Sequence, residues 1–201
     1  MTMTARRALT GAGVLLAVAC GMAVSRVAAE RTVTPLPDYG PLPEFSLTDQ
    51  QDRPVRLADL QGTVWVADFI FTRCAGQCPM MTAHMAELQR QFARSPHLRL
   101  VSFTVDPAHD TPGVLADYAR HSGAGERWQF LTGEAEAVAA LAQRGFRLGL
   151  SDEGSPQEPI THSVRLVLMD RQGRLRGYYD ATDAEAMRQL SRDIRRLLSS
   201  S

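Results

Sequence analysis

Two cysteines four residues apart, Cys74 and Cys78, are the side chains of this chain best equipped for chemistry. They stand in Cys74-Ala75-Gly76-Gln77-Cys78-Pro79, just after the continuous apolar, β-branched and aromatic run from Thr63 to Phe71. Such a run reads as a strand buried on both faces, and Pro79 suits the first turn of a helix, where no amide donor is needed. The pair therefore falls at a strand-to-helix corner, where helix-terminal amides point at a ligand or thiolate. Residues i and i+4 of a helical turn share a face, so two sulfurs could meet over one ion or close a disulfide. The positive end of a helix favours thiolate over thiol, and thiolate is both the nucleophile and the soft-metal ligand. Two thiolates suit Cu(I) better than Mg or Ca, while a structural zinc site would want four protein ligands. The plain alternative is a structural disulfide or two core thiols. Gly76 and Pro79 beside the pair, and its place off any apolar stripe, argue against it.

The elements that must position the pair read as strands alternating with helices. From Pro79 to Ala93, Met81, Met85, Leu88 and Phe92 recur at spacings of four, three and four, an apolar stripe along a helix. Leu98 to Val105 reads as a second strand, and Asp110-Thr111-Pro112 as a helix start with Thr or Asp capping and proline at the first position. Trp128 to Leu131 is a short strand, Glu134 to Arg144 a helix closed by Gly145, and Ser163 to Met169 a strand. Arg171-Gln172-Gly173 turns into Leu175 to Tyr179. A last helix starts at the capping box Thr182-x-x-Glu185, with Met187, Leu190, Ile194 and Leu197 facing inward. This order predicts an α/β domain, a mixed sheet with helices on both faces, as in thioredoxin-like folds.

The whole chain has 201 residues, 44% apolar, with 22 basic residues balancing 22 acidic ones. That length fits one globular domain with a short extension. Zero net charge argues against a nucleic-acid binder, and the apolar content argues against wholesale disorder. All 22 basic residues are Arg, so lysine chemistry such as a Schiff base or a P-loop ammonium is excluded. The third cysteine, Cys20, lies in an apolar run from Ala8 to Val24 that follows Arg6 and Arg7 and precedes the small-residue patch Val27-Ala28-Ala29. That is the grammar of an export signal. Residues 1–29 are thus read as a signal peptide or membrane anchor: cleaved after Ala29, lipidated at Cys20, or retained as a tether. Residues 30–43, with Pro35, Pro37, Pro41 and Pro43, read as a proline-rich linker, and 44–201 as the working domain. Export from a bacterial cell places that domain in the periplasm, free or anchored to the inner membrane, where thiols are oxidised unless kept reduced.

Three segments together resemble the SCO/SenC family of copper-binding, thioredoxin-like assembly proteins. They are Phe71-Thr72-Arg73-Cys74 to Cys78-Pro79, Val105-Asp106-Pro107-Ala108-His109-Asp110-Thr111-Pro112, and Thr161-His162-Ser163 leading to Met169-Asp170-Arg171-Gln172-Gly173. The similarity runs in order over about residues 40 to 198. The resemblance implies that Cys74, Cys78 and His162 coordinate one copper, as Cu(I) or Cu(II). It also implies a partner, cytochrome c oxidase subunit II or another copper-accepting protein, which receives copper or has its cysteines reduced. Many members carry Pro and an acidic residue between the cysteines, whereas this chain has Ala75, Gly76 and Gln77. The loop supplies no side-chain ligand in the resemblance, so the departure bears on partner recognition and redox poise.

His162 follows Gly154, Ser155, Pro156 and Pro159, at the end of a polar loop where a strand begins, and a swinging third ligand would let the site open for handover. His84 reads as solvated, Met81 and Met85 as core, and His97, His109 and His121 receive no role. Asp106 and Asp110 resemble the family's acidic pair, though turn and helix-cap duty suffices for Asp110. The alternative is a periplasmic thiol-disulfide oxidoreductase with Cys74 attacking and Cys78 resolving. A peroxiredoxin-like peroxidase fits worst, because the threonine expected three residues before the attacking cysteine is replaced by Phe71.

Overall fold

The computed structural model describes residues 35–148 and 164–200. The export segment with Cys20, the first residues of the proline-rich stretch, and Thr161-His162-Ser163 lie outside the described residues. The elements are β1 (Ser46–Asp49), β2 (Pro54–Arg56), α1 (Leu57–Leu60), β3 (Val64–Ile70), α2 (Cys78–Gln91), β4 (Leu98–Thr104), α3 (Pro112–His121), β5 (Trp128–Thr132), α4 (Ala135–Ala140), β6 (Arg165–Met169), β7 (Leu175–Asp180) and α5 (Ala184–Ser199). The strands form one sheet in the order β2-β1-β5-β4-β3-β6-β7. The central three, β3, β4 and β5, run parallel, and the outer pairings are antiparallel. Among the described residues no helix is long and apolar enough to cross a membrane.

β3 is buried along its whole length, as its unbroken apolar run requires. Its two faces do different work, because successive side chains alternate. Trp65 and Phe69 join Phe103 and Phe146 in an aromatic cluster, with Phe146 centred 5.1 Å from Phe69 and 5.4 Å from Phe103. The opposite face carries Asp68, paired across the ladder with Ser102, whose hydroxyl accepts from Trp128 Nε1 at 3.0 Å. Trp128 stacks on Phe130, which meets the Tyr118 ring of α3, and Tyr118 shares a 2.8 Å hydroxyl contact with Thr82 of α2. Helices thus cover both faces in a thioredoxin-like mixed sheet, and α2 and α3 cover the face beneath the cysteines.

In its elements the structure departs from the sequence reading in four places. The hairpin β1–β2 and the single turn α1 carry one or two buried side chains each, too few for a periodic signal. Asp49 holds that hairpin by accepting from the backbone of Gln51 and Arg53 and from the Arg53 guanidinium. The predicted 134–144 helix changes at Leu141 into a π turn, Leu141–Gly145, which delivers Phe146 to the aromatic cluster. Gly145 serves close packing there, since a Cβ would lie 3.1 Å from Pro43. At the head of the proline-rich segment's contact with the domain, Tyr39 and Leu42 donate backbone bonds to Leu175 and Gly173.

The fourth departure is the cap of α5. Asp183, rather than Thr182, accepts from the Glu185 backbone at 2.8 Å, and the Thr182 hydroxyl is turned to Asp180. Asp183→Ala is therefore expected to lower domain stability by about 1 kcal/mol, read as a drop in thermal midpoint. Equal losses from Asp183→Ala and Thr182→Ala would refute this assignment.

Candidate metal centre

The parallel strands β3 and β4 end side by side, and the chain leaves β3 into a tight turn in which the Cys74 amide donates to the Phe71 carbonyl at 3.1 Å. Cys78 is the first residue of α2, with Gln77 at the cap and Pro79 in the first turn. The loop Cys74–Gln77, not a helical turn, therefore brings the sulfurs together. No disulfide joins the two, and their side chains are hydrogen-bonded to each other. Their surroundings differ: Cys74 keeps 8% of its surface exposed and Cys78 none. Burial pushes the Cys78 thiol well above its ordinary pKa, aided by the Cys74 hydrogen bond and outweighing the Phe71 backbone bond that acts the other way. The helix-start effect expected from sequence is overridden at this thiol because desolvation is the larger quantity.

The turn carrying Cys74 is tied to the end of β4. Asp110, fully buried, accepts from the Thr72 backbone at 3.1 Å, from the Thr72 hydroxyl at 2.5 Å and from the Thr104 hydroxyl. Beside it Arg73 pairs with Asp106 at 2.5 Å, and the Asp106 amide donates to Thr104 Oγ1 at 3.0 Å. The cap of α3 is Thr111, whose hydroxyl accepts from Val114. Asp110 is thus neither an exposed turn residue nor a cap, and the reading that sufficed from sequence is corrected. The signal available was the position of a second acidic residue four after Asp106.

Beneath the pair, Asp68 is fully buried, and neither carboxyl oxygen has a hydrogen-bond partner of normal geometry among the described residues. Burial pushes its carboxyl up to about 7, outweighing the Ser102 hydroxyl, which acts the other way. Tyr118 is likewise raised, to about 12, by burial and then by the charges of Cys78, Asp68 and Cys74. These groups share one poorly hydrated region. Sequence reasoning passed over Asp68, since a lone carboxylate inside an apolar run announces neither its burial nor its neighbours.

The remaining candidates separate cleanly. Met81 and Met85 are fully buried, as their stripe implies. His84 is not solvated: its Nε2 lies 3.0 Å from the Ala181 carbonyl, which ties α2 to the start of α5. His97 and His109 are exposed, and His121 contacts the Asp117 carbonyl at 2.7 Å. Among the described residues no cluster of three or more His, Cys, Asp or Glu could hold a metal, so the described donor set is the soft dithiol alone. That set fits a thiophilic ion and not a hard one. A groove of about 410 Å³ opens beside Cys74 between α2 and α3, floored by Ala83, Ala86 and Tyr118.

The family model described as SCO1/SenC matches residues 38–199. A SCO1 protein homolog of Bacillus subtilis (strain 168) is 32% identical over 142 residues, covering 69% of this chain and 73% of the homolog. A Stutzerimonas stutzeri protein named as a candidate copper-binding protein is 33% identical over 189 residues, 89% of this chain and 88% of its own. Among solved structures, BsSco is described as a member of the Sco family of cytochrome c oxidase assembly proteins in which a disulfide switch was identified. It superposes with a TM-score of 0.73 at 28% identity, over 84% of this chain and 100% of its own.

Proposed function

The chain belongs to the SCO1/SenC family, and from that premise we propose that it is a copper-binding assembly factor. Copper is its cargo. One ion is held by Cys74, Cys78 and His162 and passed to the binuclear copper site of cytochrome c oxidase subunit II or to another copper acceptor. The observation that carries this reading is the pairing of Cys74 and Cys78 at the β3–α2 corner, two soft donors in hydrogen-bond contact with a narrow edge of Cys74 open to solvent. Loading converts both thiols to thiolates and releases two protons, and the ion's positive charge offsets the desolvation that keeps Cys78 protonated without it. Cys74, the one of the pair that keeps an exposed edge, is the ligand that an acceptor's thiolate can displace first, while Cys78 stays fully enclosed in the core. Residues 1–29 direct export, so the domain works on the periplasmic face, free or tethered.

Anaerobic Cu(I) titration of the chain, wild type against His162→Ala, tests the reading by metal stoichiometry and competition with a coloured chelator. We expect one copper per wild-type chain and at least about tenfold weaker binding in His162→Ala. Equal affinities in the two proteins would remove His162 from the ligand set.

The unequal exposure of the cysteines favours one second reading, a thiol-disulfide oxidoreductase. In it the Cys74 thiolate attacks a partner's disulfide and releases one partner thiol. Cys78 then attacks the mixed disulfide and releases the other, so the partner gains two electrons and Cys74–Cys78 becomes the disulfide. Such a reductase would work undiminished with His162→Ala.

A further inference from the structure

The network around Asp110 assigns a role to a residue that is not among the proposed copper ligands. Phe71 to Cys74 forms a turn closed by the bond from the Cys74 amide to the Phe71 carbonyl. Thr72 is inside that turn, and both of its donors, amide and hydroxyl, end on the Asp110 carboxylate. The same carboxylate takes the Thr104 hydroxyl at the end of β4, where the Val105 amide donates to the Ile70 carbonyl at 2.8 Å. A single buried side chain thus joins the last turns of β3 and β4 to the start of α3. Its charge is met by three donors, with the Arg73 guanidinium close enough to feel its field. Burying a carboxylate is costly unless every lone pair facing protein is satisfied. Helix capping does not account for it, because Thr111 does that work.

We infer that Asp110 is a positioning residue for the metal site: through Thr72 it holds the 71–74 turn in the one conformation that aims Cys74 at Cys78. This rests on the copper-binding reading given above. Groups that orient metal ligands from behind commonly change affinity about 10–100-fold when removed. Asp110→Asn keeps the shape but replaces one acceptor oxygen with an amide donor, facing either the Thr72 hydroxyl or the Thr72 amide and Thr104 hydroxyl, so the anchor of the turn is weakened. The Cys74 Cα–Cβ direction is then free to vary, and the dithiol must be reassembled each time it takes an ion.

The test uses the full chain with Asp110→Asn, Thr72→Val, Thr72→Ser and the double variant Asp110→Asn with Thr72→Val. Three readouts apply: Cu(I) affinity by chelator competition, the alkylation rate of Cys74 without metal, and the thermal midpoint. Expected are affinities about tenfold weaker and alkylation several-fold faster in Asp110→Asn and in Thr72→Val, with Thr72→Ser, which keeps the hydroxyl, within about twofold of wild type. The double variant should be no weaker than the worse single one, since both cut the same link. Affinity and alkylation unchanged in a folded Asp110→Asn overturn the inference. If Asp110→Asn does not fold, Thr72→Val decides, and unchanged values there overturn it equally. A wild-type chain that takes up no copper sinks the copper reading, and the alkylation rates alone then decide the role of Asp110.

Discussion

A chain with both Cys74→Ala and Cys78→Ala is expected to bind no copper under conditions that load the wild type with one ion, while keeping its fold. Removing the pair leaves as soft donors on α2 only the thioethers of Met80, Met81 and Met85, of which Met81 and Met85 are locked in the core and Met80 is a single, partly buried thioether. Carbonyls and hydroxyls that remain nearby, such as Thr72 and Thr82, are hard donors and compete poorly for Cu(I). The structural consequence should be small. Cys74 lies in a loop, and Cys78→Ala removes one sulfur from a first-turn position, a loss of roughly 1–2 kcal/mol. Metal analysis of the gel-filtered protein after anaerobic loading, with circular dichroism as the fold control, reads the result. Wild-type copper content in the double variant would end the proposal that these thiols are the site.

The second large effect is on stability and comes from Asp68. Its folded-state pKa of about 7 lies above the ordinary 3.8 because the carboxyl is buried. Between those two values the folded chain holds a proton that the unfolded chain has released. Stability from this group is therefore full below about pH 4, falls as pH rises, and levels off above about 7. Three pKa units correspond to about 4 kcal/mol at neutral pH. Asp68→Asn cannot ionise, so its thermal midpoint relative to wild type should climb by about 10 °C between pH 4.5 and 8 for a domain of this size. The unsatisfied amide lowers stability by the same amount at every pH and leaves that slope intact. Parallel pH profiles for the two proteins would show that Asp68 keeps its charge when folded, and so would refute the assignment.

How much of this was legible in the sequence follows the length of each signal. β3, β4, α2 and α5 match their predicted spans to within a residue or two, since each presents a long run or a repeated stripe. The short hairpin at 46–56 and the turn α1 were not read, because three- and four-residue elements carry no period to detect. Capping chemistry was read one residue off at α5, where Thr182 and Asp183 are both competent and only backbone geometry chooses between them. His84 looked solvated on a helical wheel. The wheel does not show that the Ala181 carbonyl, ninety-seven residues on, arrives beside it.

The sequence by itself determined that a dithiol sits at a strand-to-helix corner, and it determined the family, because spacing, flanking proline and a buried apolar run are all local. Tertiary structure alone decided which of two buried thiols keeps an edge toward solvent, that Cys78 is held protonated against the pull of its own helix, and that Asp68 and Asp110 meet opposite fates. One carboxylate is stranded beneath the site and the other is satisfied by three donors. The physical reason is common to all of these. Desolvation and hydrogen-bond partnership depend on which distant segments the sheet and helices bring together, and a carboxylate or thiol has no ordinary pKa or role until those neighbours are in place.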